Sequence, residues 1–473
     1  MSTFLRTSSL LAILLAAASL SLVTACGPSD DDENPSGDGG GDGDGDGDGD
    51  GDGDGDGDGD GDGDGDGDGD DDDDAGHDDA GDDAGACGSL GDACCESNTC
   101  DNDLTCLSGA TCSCVQSLQA RYTLRVDGVV LQADGSGTVL DATTGLPLKD
   151  VVAVSDGRYH GCALDASGGV WCWPTDAMGN DDGQLGNGTT SAAGANYRAT
   201  RVLTSASTAL TNVAALGVTN FAYYTAVDAS CAVLTNGQLY CWGDLTWLFN
   251  NGTTLSSPYA QAITSDGLNP LDDVLQVSTG DGWSACALRS AGGSNEVWCW
   301  GWNASYNLGQ GDQSNRQYAI KVLGLTAPSK VLLVGNADGG TGMRTACAID
   351  GGQVLCWGDN QRGQAGANSD DSYVQTPTPV RLQSGTVLDR IVDIQGSGNE
   401  SGFIGDGPNF CAMRDDYTMW CWGESFESYA SNYGATGVYA VGYSPKLPRY
   451  LTSDGVYHLG SEMTQVVNCD DYQ

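Results

Sequence analysis

The stretch TACAIDGGQVLCW at residues 345–357 is one of five segments that follow a single template. In each segment a Cys-Ala pair and an apolar residue lead into a turn, and a second arm ends in Cys-Trp. The second cysteine recurs every 57 to 69 residues, and a period of this length is typical of propellers and related repeat arrays. The other segments are HGCALDASGGVWCW (160–173), ASCAVLTNGQLYCW (229–242), SACALRSAGGSNEVWCW (284–300) and NFCAMRDDYTMWCW (409–422).

The two cysteines of each segment lie at equal distances from residues that are typical of hairpin turns. Asn236-Gly237 is the strongest of these turn signals, and Gly351-Gly352 is another. Two cysteines placed in this way face each other across paired antiparallel strands, close enough for a disulfide bond. The sequence therefore predicts five hairpin disulfides: Cys162–Cys172, Cys231–Cys241, Cys286–Cys299, Cys347–Cys356 and Cys411–Cys421.

Each hairpin is flanked by two further strand-like segments. A β-branched run such as Val151-Val152-Ala153-Val154 precedes it, and a Gly-rich loop comes after it, followed by a short strand that ends, in the fifth unit, near Arg449-Tyr450-Leu451. Four strands per unit are typical of a propeller blade. The end segments 121–148 and 463–468 are predicted to join into a composite sixth blade, because closing the ring removes exposed sheet edges. The predicted fold is thus an all-β propeller of six four-stranded blades, or of seven if one unit is degenerate.

The loops after the hairpins resemble the regulator of chromosome condensation (RCC1) repeat. Its mark is Trp-Gly followed by Gly-Gln-Leu-Gly, and this chain has Gly183-Gln184-Leu185-Gly186 and, after Trp357-Gly358, Gly363-Gln364-Ala365-Gly366. Pro174 replaces the Gly of this pattern after Trp173, and the second and fifth repeats lack the Gly-Gln pair. The resemblance covers residues 150 to 470 and implies an RCC1-like β-propeller.

Tryptophans occur in two kinds of position. Those that end each segment solve a repeated packing problem, so we expect them to lie in the core or between blades. Aromatic residues that break the template lie in loops or at strand ends. Aromatic side chains at such positions are typical of binding surfaces. Packing within the loops is the alternative for these residues. The candidate binding residues are Trp247, Phe249, Trp283, Trp302 and Tyr306.

The first 26 residues read as an export signal. Arg6 precedes an apolar stretch at residues 10–22 that is short for a membrane span, and Leu22-Val23-Thr24-Ala25-Cys26 follows. This end resembles a bacterial lipoprotein signal, which implies lipidation of Cys26. An ordinary cleaved signal is the alternative. The predicted location is the cell envelope, with a lipid anchor at the outer membrane or cell surface.

Residues 27–86 are predicted to be a disordered acidic linker, because 28 acidic residues, no basic residue and a strict Gly-Asp alternation leave no apolar surface to bury. Residues 87–118 form a predicted Cys-rich module with seven cysteines, stapled by disulfides. Since seven is odd, one of them is predicted to pair with Cys469. The propeller is assigned to residues 119–473.

Charge and composition narrow the range of functions that the protein can have. The chain of 473 residues has a net charge of −48, and residues 87–473 alone carry −21, which disfavours nucleic acid as a partner. No catalytic, nucleotide-binding or metal-binding motif is found, so we expect no catalysis, no cofactor and no metal. The leading hypothesis is a surface-anchored binding module for an extracellular protein or glycan. The alternatives are an extracellular polysaccharide-acting enzyme and a purely structural envelope lipoprotein.

Overall fold

The computed structural model describes residues 105–107, 111–113, 115–118, 122–125 and 127–468. The last range has gaps at 133–136, 158, 176–178, 192–195, 219–227, 250–254, 281–282, 337–342, 398–408, 424–427, 433–439, 444–447, 453–454 and 459–463. The predicted lipidation at Cys26, the linker, most of the Cys-rich module and the predicted pairing of Cys469 lie outside the described residues. Domain boundaries at residues 26, 86 and 118 stay predictions.

The N-terminal part of the described chain forms small sheets. A hairpin places Cys106 opposite Cys112, and a three-stranded antiparallel sheet follows it. The next strand pairs in parallel with the edge of the first blade. These strands are β1 (Thr105–Leu107), β2 (Thr111–Ser113), β3 (Val115–Leu118), β4 (Tyr122–Arg125), β5 (Val130–Gln132) and β6 (Leu140–Asp141).

Five blades of four antiparallel strands follow within the described residues. Blade 1 consists of β7 (Val151–Asp156), β8 (His160–Asp165), β9 (Val170–Pro174) and β10 (Arg198–Arg201), and the hairpin of β11 (Leu203–Ser205) and β12 (Thr208–Ala209) comes after it. Blade 2 consists of β13 (Val213–Val218), β14 (Ala229–Leu234), β15 (Leu239–Asp244) and β16 (Ser256–Ala262), with the short helix α1 (Thr246–Phe249) between its last two strands. Blade 3 consists of β17 (Val274–Thr279), β18 (Ser284–Ala291), β19 (Ser294–Gly301) and β20 (Arg316–Lys321). Blade 4 consists of β21 (Pro328–Asn336), β22 (Met343–Asp350), β23 (Gln353–Asp359) and β24 (Tyr373–Pro379), and blade 5 of β25 (Ile391–Ser397), β26 (Asn409–Arg414), β27 (Met419–Gly423) and β28 (Ser431–Asn432).

Over the described residues the predicted count of six or seven blades is wrong, and so is the composite blade. The C-terminal segment supplies its own partners and forms a separate antiparallel sheet, while the N-terminal segment pairs within β3–β5 and, through β6, with β10 of blade 1. Arg449-Tyr450-Leu451, expected as the last strand of blade 5, lies in this terminal sheet instead. Its strands are β29 (Ala440–Tyr443), β30 (Pro448–Thr452), β31 (Gly455–His458) and β32 (Thr464–Asn468).

The five predicted disulfides are present, one in the central hairpin of each blade. The bonded cysteines are direct partners in the strand register, with Cα atoms 4.0 to 4.1 Å apart. All ten side chains are fully buried. Each bond therefore closes the two middle strands of a blade inside the core. The bonded pairs are Cys162–Cys172, Cys231–Cys241, Cys286–Cys299, Cys347–Cys356 and Cys411–Cys421.

The template tryptophans join neighbouring blades, as predicted. In three cases the indole Nε1 donates a hydrogen bond of 2.8 to 3.0 Å to a carbonyl in the loop of the preceding blade. Trp173 instead donates to the hydroxyl of Tyr122 on β4, at 2.8 Å. All five template indoles are buried, so each of these bonds satisfies a donor that water cannot reach. The three loop contacts are Trp242 to Gln184, Trp357 to Asn307 and Trp422 to Gln364.

The loops that receive these indoles share one backbone conformation, and we call them rim loops (180–188, 303–311 and 360–368). In each loop a buried asparagine, such as Asn360, accepts a hydrogen bond from the amide five residues later. The second Gly of the Gly-Gln-Ala-Gly motif, Gly366, has φ +60°, and a Cβ there would lie 2.8 Å from Cδ1 of Trp422. Glycine is thus required both by the backbone and by the indole that packs against it.

We predict that Gly366→Ala destabilises the protein more than Gly385→Ala. Gly385 also has a positive φ, but a Cβ there meets nothing within 4 Å. The control, Gly385→Ala, should lower the free energy of unfolding by about 1 kcal/mol through backbone strain alone. Gly366→Ala should lower it by about 3 kcal/mol, because overpacking against the indole adds to the strain. Urea denaturation of the oxidised protein measures both. An equal loss of unfolding free energy in the two variants would contradict the role of the contact between Gly366 and the Trp422 indole.

Candidate binding face

One end of each blade is built from two template positions, which we call the rim pair. They are the residue three places before the first cysteine of each segment and the residue two places after the template tryptophan. In blades 1 to 3 the second member donates its amide to the carbonyl of the first, at 2.8 to 3.0 Å. The described rim pairs are Tyr159/Thr175, Asp228/Asp244, Trp283/Trp302 and Arg344/Asp359.

The glycine after the template tryptophan permits this contact. Gly358 has φ +111°, and a Cβ there would lie 2.3 Å from the carbonyl oxygen of Arg344. In blades 2 to 4 the Trp-Gly dipeptide therefore lets the rim pair approach closely, whereas blade 1 makes the same contact with Pro174 at this position. The side chains of the pair vary between blades. Variation at fixed backbone positions is typical of a recognition surface on a repeat scaffold.

Blades 3 and 4 combine their rim pairs into an aromatic cluster, which consists of Trp283, Trp302, Tyr306, Arg344 and Tyr373. The rings of Trp283 and Trp302 meet edge to face with centroids 5.3 Å apart. The guanidinium carbon of Arg344 lies 4.1 Å from the ring centroid of Trp302 and 5.0 Å from that of Trp283. Arg344 is only 1% exposed, so cation–π attraction acts here with little screening by water.

Asp359 and Tyr373 extend this arrangement across blade 4. Burial raises the pKa of Asp359, and hydrogen bonds from Gln361 and Gln364 and the charge of Arg344 act against that rise. Tyr373 is the strand partner of Asp359, and burial followed by the nearby carboxylate raises the pKa of its phenol. Tyr373 therefore keeps its hydroxyl proton and can donate a hydrogen bond at neutral pH.

Tyr306 adopts a backbone conformation that other rim loops give to glycine. Its φ is +61°, whereas Gly183 and Gly363 occupy the equivalent positions with φ +83° and +74°. The ring of Tyr306 lies 5.5 Å from that of Tyr373 in the next blade. A large side chain at a left-handed position costs about 1–2 kcal/mol, and such strain clusters at functional sites.

The structure brings together three of the five predicted binding residues. Trp283, Trp302 and Tyr306 are half-buried and lie in the aromatic cluster. Trp247 and Phe249 lie on α1, and their side chains are outside the described residues, so their role stays a prediction. Sequence reasoning missed Arg344 and Tyr373. Aligning the five segments by their first cysteines would have placed Arg344 at the same position as Trp283.

Blades 1 and 2 carry an acidic cluster, which consists of the rim pair of blade 2, Asp228 and Asp244, and of Asp181 and Asp182 in the rim loop of blade 1. Burial, followed by repulsion from Asp244, Asp181 and Asp228, raises the pKa of Asp182 to about 6. Burial also raises the pKa of Asp244. A hydrogen bond from Thr246 acts against this rise, and the negative charge of Asp228 adds to it. Asp181 is exposed and Asp228 is fully buried, so the acidic cluster extends from the surface into the fold.

His160 lies beside the acidic cluster and contacts blade 2. Its Nε2 is 2.6 Å from Oγ of Ser230, and its Nδ1 is 3.7 Å from Oδ2 of Asp228. The residue types match a Ser–His–Asp triad, but 3.7 Å is longer than a hydrogen bond and all three side chains are fully buried. This geometry joins blade 1 to blade 2, which is a structural role for His160. The absence of catalysis stays a prediction.

Residues 351–404 match the family model of the regulator of chromosome condensation (RCC1) repeat. The protein is an all-β propeller, and one segment of it is similar to the RCC1 repeat. It is similar to the RCC1 domain-containing protein RUG3, mitochondrial, of Arabidopsis thaliana, with 26% identity over 229 residues, which are 48% of this chain and 46% of that protein. The chain thus spans about half the length of this curated relative.

Solved structures with a similar fold include yeast RCC1 (Prp20) bound to Kap60 and human WBSCR16. The yeast protein is 16% identical with a TM-score of 0.48, and the match covers 68% of this chain and 74% of that chain. The human protein is 14% identical with a TM-score of 0.46, and the match covers 66% of this chain and 78% of that chain.

We predict that Asp182→Asn stabilises the protein at pH 7. The folded-state pKa of about 6 is higher than the ordinary value, so protonation of Asp182 favours the folded state and its contribution to stability grows as the pH falls from about 6 to about 4. The uncharged Asn variant gains this benefit already at pH 7. Thermal unfolding at pH 7 and pH 5 measures it, and the difference between variant and wild type should narrow at pH 5.

Asp181→Asn is the control for this experiment, because Asp181 is the exposed neighbour with the same charge. Its effect should be smaller at both pH values. An effect of Asp182→Asn that is absent at pH 7, or one that grows on acidification, would contradict the crowding of carboxylates at this site.

Proposed function

We propose that this protein is a binding module of the bacterial cell envelope and that its aromatic cluster is the contact surface for a protein partner. The observation that carries the proposal is the composition and placement of this cluster. Trp, Tyr and Arg are the residue types that dominate the binding energy of protein interfaces, and here they converge from two blades. Tyr306, held in a strained conformation, adds an aromatic ring where other rim loops have glycine.

The remaining segments of the chain support display at the envelope. A lipidated Cys26 would hold the protein at a membrane by burying acyl chains, and the acidic linker of residues 27–86 would extend because like charges repel. Disulfide bonds form and persist outside the cytoplasm, so the five buried cystines suit an exported protein. Among the described residues, no helix has the length and apolar character needed to cross a bilayer.

Replacing Trp302 should release the partner. Trp302→Ala removes a half-exposed ring of the aromatic cluster, and loss of such an interface residue typically costs more than 2 kcal/mol, or about thirtyfold in affinity. Cells that make the full chain with this substitution are treated with a chemical cross-linker, and the partner recovered per molecule of protein is quantified by mass spectrometry.

Trp298→Ala is the matched control. Trp298 lies on β19, four residues before Trp302, and is half-buried. The guanidinium carbon of Arg289 is 4.9 Å from its ring centroid, so its loss costs comparable packing away from the rim. Equal partner recovery from the two variants would contradict the proposal. Tyr306→Gly provides a second test, since glycine is the residue of the other rim loops and preserves the backbone. It should also reduce partner recovery while leaving the fold intact.

Cys26→Ser tests the anchor. The substitution removes the thiol that carries the acyl chain, so the protein should move from the membrane fraction to the soluble fraction. Mass spectrometry of the wild-type N-terminal peptide should show acyl groups on Cys26. A wild-type protein that starts elsewhere, without acyl groups, would contradict the anchor without affecting the proposed contact surface.

A further inference from the structure

Asp228 is a buried carboxylate whose charge the described structure does not neutralise. Its side chain has no exposed surface, and neither carboxylate oxygen has a hydrogen-bond partner within the part of the chain that the structure describes. Among the described residues the basic nitrogen paired with it is Nδ1 of His160, at 3.7 Å, which is beyond hydrogen-bonding distance. A buried charge in such a state costs several kcal/mol unless an ion pair and hydrogen bonds compensate it.

Its neighbours increase the cost instead of reducing it. Asp182 and Asp244 both experience the negative charge of Asp228, and Asp181 adds to the field at Asp182. The acidic cluster is also open toward solvent, because Asp181 is exposed and Asp182 and Asp244 are half-buried. A cation that approaches from solvent would therefore reach a concentrated negative potential that leads down to Asp228.

Blade 4 shows what the same template positions look like when they are neutralised. There the rim pair is Arg344 and Asp359; burial raises the pKa of Asp359, and the positive charge of Arg344 is one of the interactions that act against this rise. In blade 2 the equivalent of Asp359 is Asp244, and the equivalent of Arg344 is Asp228. The chain thus places an arginine at this position in blade 4 and a second carboxylate at the same position in blade 2.

The spacing of the acidic cluster suits an organic cation better than a metal ion. Calcium requires several oxygens at 2.3–2.6 Å around one point. No group of three or more acidic, His or Cys side chains among the described residues is placed to hold a metal ion. A guanidinium has five donors on a rigid planar fork, so a single group can reach carboxylates that are too far apart to share a metal ion.

We propose that the acidic cluster of blades 1 and 2 receives an arginine side chain of the protein partner, which takes the position that Arg344 occupies in blade 4. This inference rests on the proposed protein-binding function and names the chemistry that the partner presents. The partner would place an arginine next to the surface that contacts the aromatic cluster, since both clusters include rim-pair residues of neighbouring blades. Asp228 and Asp244 would accept hydrogen bonds from the guanidinium.

Carboxylate footprinting of the full chain tests the proposal residue by residue. The protein is labelled with a carbodiimide and an amine, with and without an acetylated tetra-arginine amide, at about 150 mM salt so that attraction at the exposed surface is screened. Labelling of Asp182 and Asp244 should fall at least fivefold with the peptide. The exposed Asp370 and the neighbouring Asp371 on the rim-loop side of blade 4 are internal controls and should change less than twofold.

Asp228→Asn should remove this protection, because the buried charge that the guanidinium neutralises is gone while the side chain keeps its shape. Asp371→Asn is the matched control and should leave the protection intact. Equal protection of Asp182, Asp244, Asp370 and Asp371, or protection that persists in Asp228→Asn, would overturn the proposal. Protection by calcium alone and not by the peptide would also overturn it, in favour of a metal site.

Asp228→Arg provides a test in the opposite direction. It recreates in blade 2 the rim pair of blade 4, so it should raise the unfolding temperature and abolish peptide protection at Asp182 and Asp244. A folded Asp228→Arg variant that still shows peptide protection there would contradict the proposal. Because the peptide replaces the natural partner, these results do not depend on the cross-linking experiment with Trp302→Ala. A failure of the peptide test would contradict the arginine site alone, and a failure of the cross-linking test would contradict the proposed contact surface alone.

Discussion

The rest of the propeller depends on the hydrogen bond between a template indole and the rim loop of the preceding blade. The indole nitrogens of Trp242, Trp357 and Trp422 are buried donors, and each finds its acceptor in the neighbouring blade and not in its own. Because an unpaired buried donor is costly, this bond fixes both the distance between blades and the path of the loop. Gly366 and its equivalents exist to let the ring approach that loop.

The disulfides stabilise individual blades, whereas the indole contact joins neighbouring blades. Each one closes the central hairpin of its own blade and holds the second and third strands in register. Those two strands also end at the rim pair, so the same covalent bond that stabilises the blade keeps the rim backbone fixed. The side chains at the rim can then change from Tyr/Thr to Asp/Asp, Trp/Trp and Arg/Asp with little effect on the fold. Recognition and stability are carried by separate residues of one template.

The sequence predicted those features that repeat and failed on those that do not. Cysteines equally spaced around turn residues located the disulfides, and the recurrent tryptophans were recognised as packing residues. The blade count failed because residues 440–468 have no cysteine template, so nothing in the sequence indicated that Pro448–Thr452 pairs within a terminal sheet. Trp302 and Tyr306 were noticed because they are large aromatics outside the template. In a sequence, a single charged residue near the start of a strand is typical of a solvent-exposed side chain, so Arg344 and Asp228 did not stand out. Their burial depends on contacts with the neighbouring blade, which the sequence does not show.

The most direct test of the account is site-specific photo-cross-linking of the anchored protein in living cells. A photoreactive amino acid is introduced at residue 304 in the rim loop of blade 3 and, separately, at residue 236 in the hairpin turn at the opposite end of blade 2. The account predicts that one envelope protein is cross-linked through residue 304 and not through residue 236. Cross-links to that protein through residue 236 alone would contradict the assignment of the rim as the binding face.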